Sequence, residues 1–230
     1  MSPPLILCTS EQMFLDIVAL SLAVSLSASV AAAVVGLPTG AALAMFEFRG
    51  RSLLILIANA LLGLPPVVIG LALYLLLSRS GPLGSMGMLF TPAAMVVAQF
   101  LLALPIVVAL SHRAMMGVWQ DYGDQLLVDG VSRLQAIRHV LSIGRLSAMT
   151  ASLAGFGRSI SEVGAILIVG GNIAGYTRTM TTAITLETSQ GNFDFALALG
   201  AVLVAISVAV SSCAFGIEAW LRRTSLQETS

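Results

Sequence analysis

Residues 17–45 read IVALSLAVSLSASVAAAVVGLPTGAALAM, and no charged residue lies between Asp16 and Glu47. A helix needs roughly 20 apolar residues to cross a bilayer, and this run exceeds that. Working outward, charges act as punctuation for four more apolar stretches. One lies near 53–77, between Arg51 and Arg79. The next, 92–111, follows the breaker cluster Gly81-Pro82-Leu83-Gly84-Ser85, which marks 80–91 as an external loop. A fourth, about 147–170, contains Arg158 and Glu162, and the last lies between Asp194 and Glu218. Composition agrees: 57% of the residues are hydrophobic and 10% charged, with a mean hydropathy of +0.97. A soluble domain carries roughly 25% charged residues. So few charges cannot cover a soluble globule, and the apolar excess must face lipid or other helices. The expected fold is an all-α polytopic membrane protein with about five transmembrane helices.

Arginine placement orients it. If the 46–52 loop, the 112–146 loop and the C-terminus are cytoplasmic, that side holds Arg49, Arg51, Arg113, Arg133, Arg138, Arg145, Arg222 and Arg223. Only Arg79 and Arg178 fall opposite. The N-terminus is therefore expected outside and the C-terminus in the cytoplasm. The expected divisions are an external tail 1–13, a transmembrane domain 14–221 with its cytoplasmic loop at 112–146, and a cytoplasmic tail 222–230. The first basic residue is Arg49, so the opening residues lack the positive n-region of a cleavable signal and are expected to be a short tail.

Other classes are disfavoured. All eleven basic residues are arginine, so neither a P-loop lysine nor a Schiff-base lysine exists here. A net charge of zero gives no basic footprint for nucleic acid. His112 and His139 are too few and too far apart for a metal site. Cys8 and Cys213 lie at opposite ends and are expected to be unpaired. No paired catalytic carboxylates or nucleophile–base pair suggests an enzyme.

The 112–146 loop contains Asp121-Tyr-Gly-Asp124-Gln-Leu-Leu-Val-Asp129-Gly130-Val-Ser132-Arg133-Leu-Gln135. Two short helices fit: one over about 120–129, then, past a turn at Gly130, one capped by Ser132 with Leu134, Ile137 and Val140 at helical spacing. Such an apolar-edged knob suits a groove in another protein, and a solvated amphipathic loop fits the pattern equally. Further on, Arg158 and Glu162 stand four apart on one helix face. Charges at that depth usually face the bundle interior, paired or wet. Beyond Gly170-Gly171-Asn172, a Thr-rich segment 171–192 offers hydroxyls, amides and Arg178 toward the outer side, where an oxyanion could be met briefly. A pathway must release what it receives.

The loop resembles the cytoplasmic EAA loop of ABC importer permeases, in which a glycine follows an acidic residue by six positions, as Gly130 follows Asp124. Here the acid is Asp, and Gln125 and Leu126 stand where two alanines are usual. Residues 157–188 contain Gly-Arg-Ser-Ile-Ser-Glu-Val-Gly-Ala, Val-Gly-Gly-Asn-Ile, Thr-Arg-Thr-Met-Thr-Thr-Ala-Ile and Leu-Glu-Thr, and resemble tungstate and molybdate importer permeases, the tungstate group most closely. Gly63-Leu-Pro-Pro66-Val-Val-Ile-Gly70 is similar too, so the resemblance covers about 14–220. It implies a type I ABC importer transmembrane domain in a bacterial or archaeal cytoplasmic membrane, importing an oxyanion, tungstate first and molybdate or sulfate as alternatives, by ATP-driven alternating access. It implies partners: a second copy as a homodimer, cytoplasmic ABC ATPase subunits that hold ATP and magnesium, and an extracytoplasmic binding protein. No cofactor is expected in this chain itself. The implied coupling residues are Asp124, Gly130, Ser132, Arg133 and Gln135. The expected pathway or gate residues are Arg158, Ser161, Glu162, Asn172, Thr177, Arg178 and Thr181. A stand-alone ion-coupled carrier or channel, with Glu162 as a proton relay, is the other class to be weighed.

Overall fold

A computed structural model describes the backbone of residues 4–227 and the side chains of residues 12–213. The described residues form helices α1 (Pro4–Met45), α2 (Arg51–Ala60), α3 (Pro66–Leu77), α4 (Pro92–Val128), α5 (Arg133–Ile143), α6 (Arg145–Ile160), α7 (Gly164–Gly170), α8 (Met180–Ser189) and α9 (Phe193–Gln227). Three of them, α1, α4 and α9, are each long and apolar enough to cross a membrane alone. The pairs α2–α3 and α6–α7 pass the same test only together, which gives five spans if each bent pair counts as one.

Small residues set the central packing. Ala28, Ala32 and Ala41 of α1 and Ala98 and Ala103 of α4 are fully buried, which lets the two backbones approach closely. A Cβ on Gly40 would stand 2.8 Å from the His112 backbone nitrogen, so that crossing excludes any larger residue. The three larger apolar clusters among the described residues surround this axis. Val24, Leu73, Met95, Ile166 and Val169 join α1, α3, α4 and α7. Ala41, Met45, Met115, Ala136 and Val140 join α1, α4 and α5. Ile17, Phe156, Met180 and Leu199 join α1, α6, α8 and α9.

The structure differs from the sequence expectations at four places. The helix expected over 120–129 is not separate: α4 continues unbroken from Pro92 through Pro105 to Val128. The span expected at 53–77 turns by 104° between α2 and α3. Pro66 disfavours helical torsions in the residue before it, and Pro65 is extended at φ −64°, ψ 126°. Because Arg51 Nε donates to Leu43 O at 2.7 Å and Asn59 Oδ1 accepts from Arg113 at 2.6 Å, α2 stays at the arginine-rich end of the bundle. The span at 147–170 bends by 57° between α6 and α7. Finally, the polar segment 171–192 contains a helix, α8, whose first turn is buried at Met180, Thr181, Thr182 and Ala183. At the ends, α1 already begins at Pro4 and α9 runs on to Gln227.

Candidate functional site

At the arginine-rich end, α4 stops where Gly130 takes φ +80°, a left-handed torsion that costs a non-glycine residue energy. The Gly130 amide donates to Leu127 O and the Val131 amide to Leu126 O, which closes the helix. Ser132 and Gln135 then form a reciprocal capping box at the start of α5; each satisfies an orphan amide of the other's turn. Ala136 and Val140 are fully buried against α1 and α4, and Arg133 Nη1 reaches Met45 O at 3.5 Å. Hence Gly130, Ser132, Arg133 and Gln135 build the turn and seat it, while Asp124 lies exposed on the last turns of α4. The outer edge of this knob is apolar: Val128 is 86% exposed and Leu134 75%.

Inside the bundle, the α6–α7 break is a junction built on Glu162. Arg158 Nη1 donates to Glu162 Oε2 at 2.7 Å. Glu162 Oε1 accepts from the Ala165 amide at 3.0 Å, which supplies a partner for an orphan N–H at the start of α7. The Glu162 carbonyl accepts from Thr181 Oγ1 of α8 at 2.7 Å. One turn earlier, the Ser159 carbonyl accepts from Gln99 Nε2 of α4 at 2.9 Å. The pair thus joins the last turn of α6 to the break itself, and the junction as a whole ties α4, α6, α7 and α8 together. Gln99 was not among the expected site residues. Its signal was available, as the one amide side chain in the apolar run 92–111.

On the far side of the break, the Thr-rich segment is organised largely by its own hydroxyls. Thr177 Oγ1 donates to Gly170 O at 2.6 Å and accepts from the Ile173 amide at 2.9 Å. Thr179 and Thr182 form a second capping box, and Ser21 Oγ of α1 accepts from the Met180 amide at 2.7 Å. Thr177 and Thr181 are thus buried structural ties. Asn172 adopts φ 51°, and its Nδ2 reaches Thr182 O at 3.5 Å. Arg178 instead lines an open cavity of about 760 Å³ together with Gln12, Asp16, Gly175 and Tyr176. Of the expected pathway residues, Arg158, Glu162 and Thr181 are brought together at the break, with Ser161 exposed beside them, while Arg178 stands apart at the cavity beside Asp16 and Tyr176.

A bundle of apolar helices with a buried charged junction and a projecting, apolar-edged helical knob fits a membrane-spanning subunit that works with partners. The chain belongs to the family of binding-protein-dependent transport system inner membrane components, whose model matches residues 36–225. It is a multi-pass membrane permease, a transport component rather than a catalytic one. It is similar to a probable anion ABC transporter permease of Haloferax volcanii, with 43% identity over 86% of this chain and 87% of the relative. It is also similar to tungstate uptake system permease proteins of Peptoclostridium acidaminophilum (36% identity, 88% of this chain, 89% of the relative) and Campylobacter jejuni (40%, 70% and 68%).

Proposed function

We propose that this chain is the permease subunit of an oxyanion importer, with tungstate the favoured cargo and molybdate and sulfate the alternatives. The observation that carries the proposal is its likeness, over nearly its whole length, to permeases named for an anion and for tungstate. Two copies enclose the path, because five spans from one chain surround it poorly. The long exposed apolar side chains of α2 and α3, such as Leu53, Leu56, Val67 and Leu71, face lipid or that second copy. The positive-inside rule favours a cytoplasmic position for the arginine-rich end, with the N-terminus outside. The knob around Gly130 docks into separate ATPase subunits, which hold ATP and magnesium. An external binding protein delivers the anion toward the cavity that contains Arg178. Closure of the ATPases moves the knob, and the spans switch access from one side to the other. Val128 and Leu134, standing clear of the bundle, favour a docked partner over a stand-alone carrier, which would leave that apolar edge without a use.

The test is uptake by proteoliposomes that contain the permease, its ATPase and the binding protein. ATP-dependent accumulation of tungstate, competed by molybdate more than by sulfate, is the expected result. Accumulation that needs no ATPase, or no accumulation of any of the three anions, overturns the proposal.

A further inference from the structure

Arg158 and Glu162 are one ion pair, yet their surroundings are unequal. Glu162 is 2% exposed and Arg158 28%. Every acceptor of Glu162 has a protein partner: Arg158 at Oε2, the Ala165 amide at Oε1, and Thr181 at the main-chain oxygen. Nothing on it is left to face a passing solute. Arg158 has five N–H donors in a fork, and among the described residues the guanidinium makes one side-chain hydrogen bond, through Nη1 to Glu162. Its neighbours Gly157 and Ser161 are exposed, and a Cβ on Gly157 would meet nothing within 4 Å. The Ser161 hydroxyl donates back to Gly157 O at 2.8 Å, so it does not offer its proton outward. A partly exposed guanidinium within a span is costly against lipid, and that cost is relieved when its face meets water or an anion.

We propose that Arg158 is the group that touches the oxyanion at this level of the path, and that Glu162 is a positioning residue. The inference rests on the oxyanion importer function. Glu162 holds the guanidinium from one side and offsets much of its charge, while the remaining N–H groups stay free to meet two oxygens of a tetrahedral anion. A bare arginine would bind such an anion too well, whereas a half-neutralised one takes it and lets it go, as conduction requires. Glu162 thus tunes the affinity of a site that it does not itself touch.

The experiment uses the full chain assembled with its ATPase in proteoliposomes, with Cys8 and Cys213 replaced by serine and Gly157→Cys introduced. A charged, membrane-impermeant methanethiosulfonate reports on the introduced thiol, in the absence and presence of tungstate, molybdate and sulfate. The thiol is expected to react, and tungstate to slow the reaction. In Glu162→Gln the amide oxygen still accepts from the Ala165 N–H, so the break persists. The half-protecting tungstate concentration then falls by about tenfold, while maximal uptake also falls because release slows. In Arg158→Gln the thiol still reacts but tungstate no longer protects it. An unreactive thiol, protection that survives Arg158→Gln, or a half-protecting concentration unchanged by Glu162→Gln overturns the proposal. Any of these with normal uptake by the unsubstituted complex overturns the assignment of Arg158 alone. Absent uptake by the unsubstituted complex overturns the importer function beneath it.

Discussion

Glu162 shows how much one side chain can hold in a membrane. Its carboxylate supplies an acceptor for one backbone N–H, that of Ala165, at the 57° bend between α6 and α7. Glu162→Ala leaves a buried amide and a buried-side guanidinium nitrogen without partners. A buried N–H left without its acceptor costs about 1–3 kcal/mol, so this variant is expected to lose thermal stability in detergent and some of its yield, measured by size-exclusion chromatography after heating. Gly130 presents the opposite case. A Cβ there would meet nothing within 4 Å, so Gly130→Val introduces only left-handed strain of about 1–2 kcal/mol. The chain should insert and purify normally but lose ATPase-coupled uptake; uptake equal to the parent would remove Gly130 from coupling. The four-residue spacing of Arg158 and Glu162 was legible in the sequence as a shared helix face. The second role of Glu162 was not, because it depends on a helix break that hydropathy does not mark.

At the scale of elements, packing partners decide which small residues matter. Gly155 and Gly157 stand two apart in one motif, yet a Cβ on Gly155 would lie 2.8 Å from Val107 of α4 while one on Gly157 is free. Gly155→Leu is therefore expected to destabilise the bundle by about 1–3 kcal/mol or more through overpacking. Gly157→Ala should be neutral or stabilising by up to about 1 kcal/mol, from helix propensity. Thermal midpoints of the two variants in the same detergent check the contrast, and equal midpoints would refute it. For α5, Ser132→Ala removes half of the capping box and should cost about 1 kcal/mol, seen as faster hydrogen exchange confined to residues near the knob. The five apolar stretches were readable because hydropathy and charge report length and composition. Direction was not readable: a window over 53–77 scores alike for a straight helix and for one turned by 104°. The 120–129 segment was misplaced for a related reason, since between Ser111 and Val128 no proline interrupts the pattern, and periodicity cannot tell the end of a long helix from a new short one.

At the scale of the whole molecule, the described residues carry exposed apolar side chains of two kinds. Many lie along the spans, on α1, α2, α3 and α9; a narrower set forms the edge of the knob at Val128 and Leu134. A hot spot of this kind concentrates binding in a few side chains. Val128→Asp and Leu134→Asp, both exposed, should leave the fold intact and weaken capture of the ATPase by about 10–100-fold, as for truncation of interface anchors. Co-purification at graded ATPase concentrations checks this, and unchanged capture would place the ATPase contact elsewhere. The family was legible from the loop and from 157–188, where glycines, charges and threonines stand in a distinctive order. The threonines of 177–182 were legible as polar but not as structural ties, since a hydroxyl's partner is set by the folded neighbour and not by its sequence. The unbroken course of α4 has a mechanical consequence. At 1.5 Å per residue, Pro105 divides the helix into arms of about 20 Å and about 35 Å, and its missing N–H leaves the Leu101 carbonyl without its usual helical donor, so bending of α4 is easiest there. Were α4 instead to turn as a rigid rod about that level, a displacement of the end beside Gly130 would reach Pro92 with roughly half the travel.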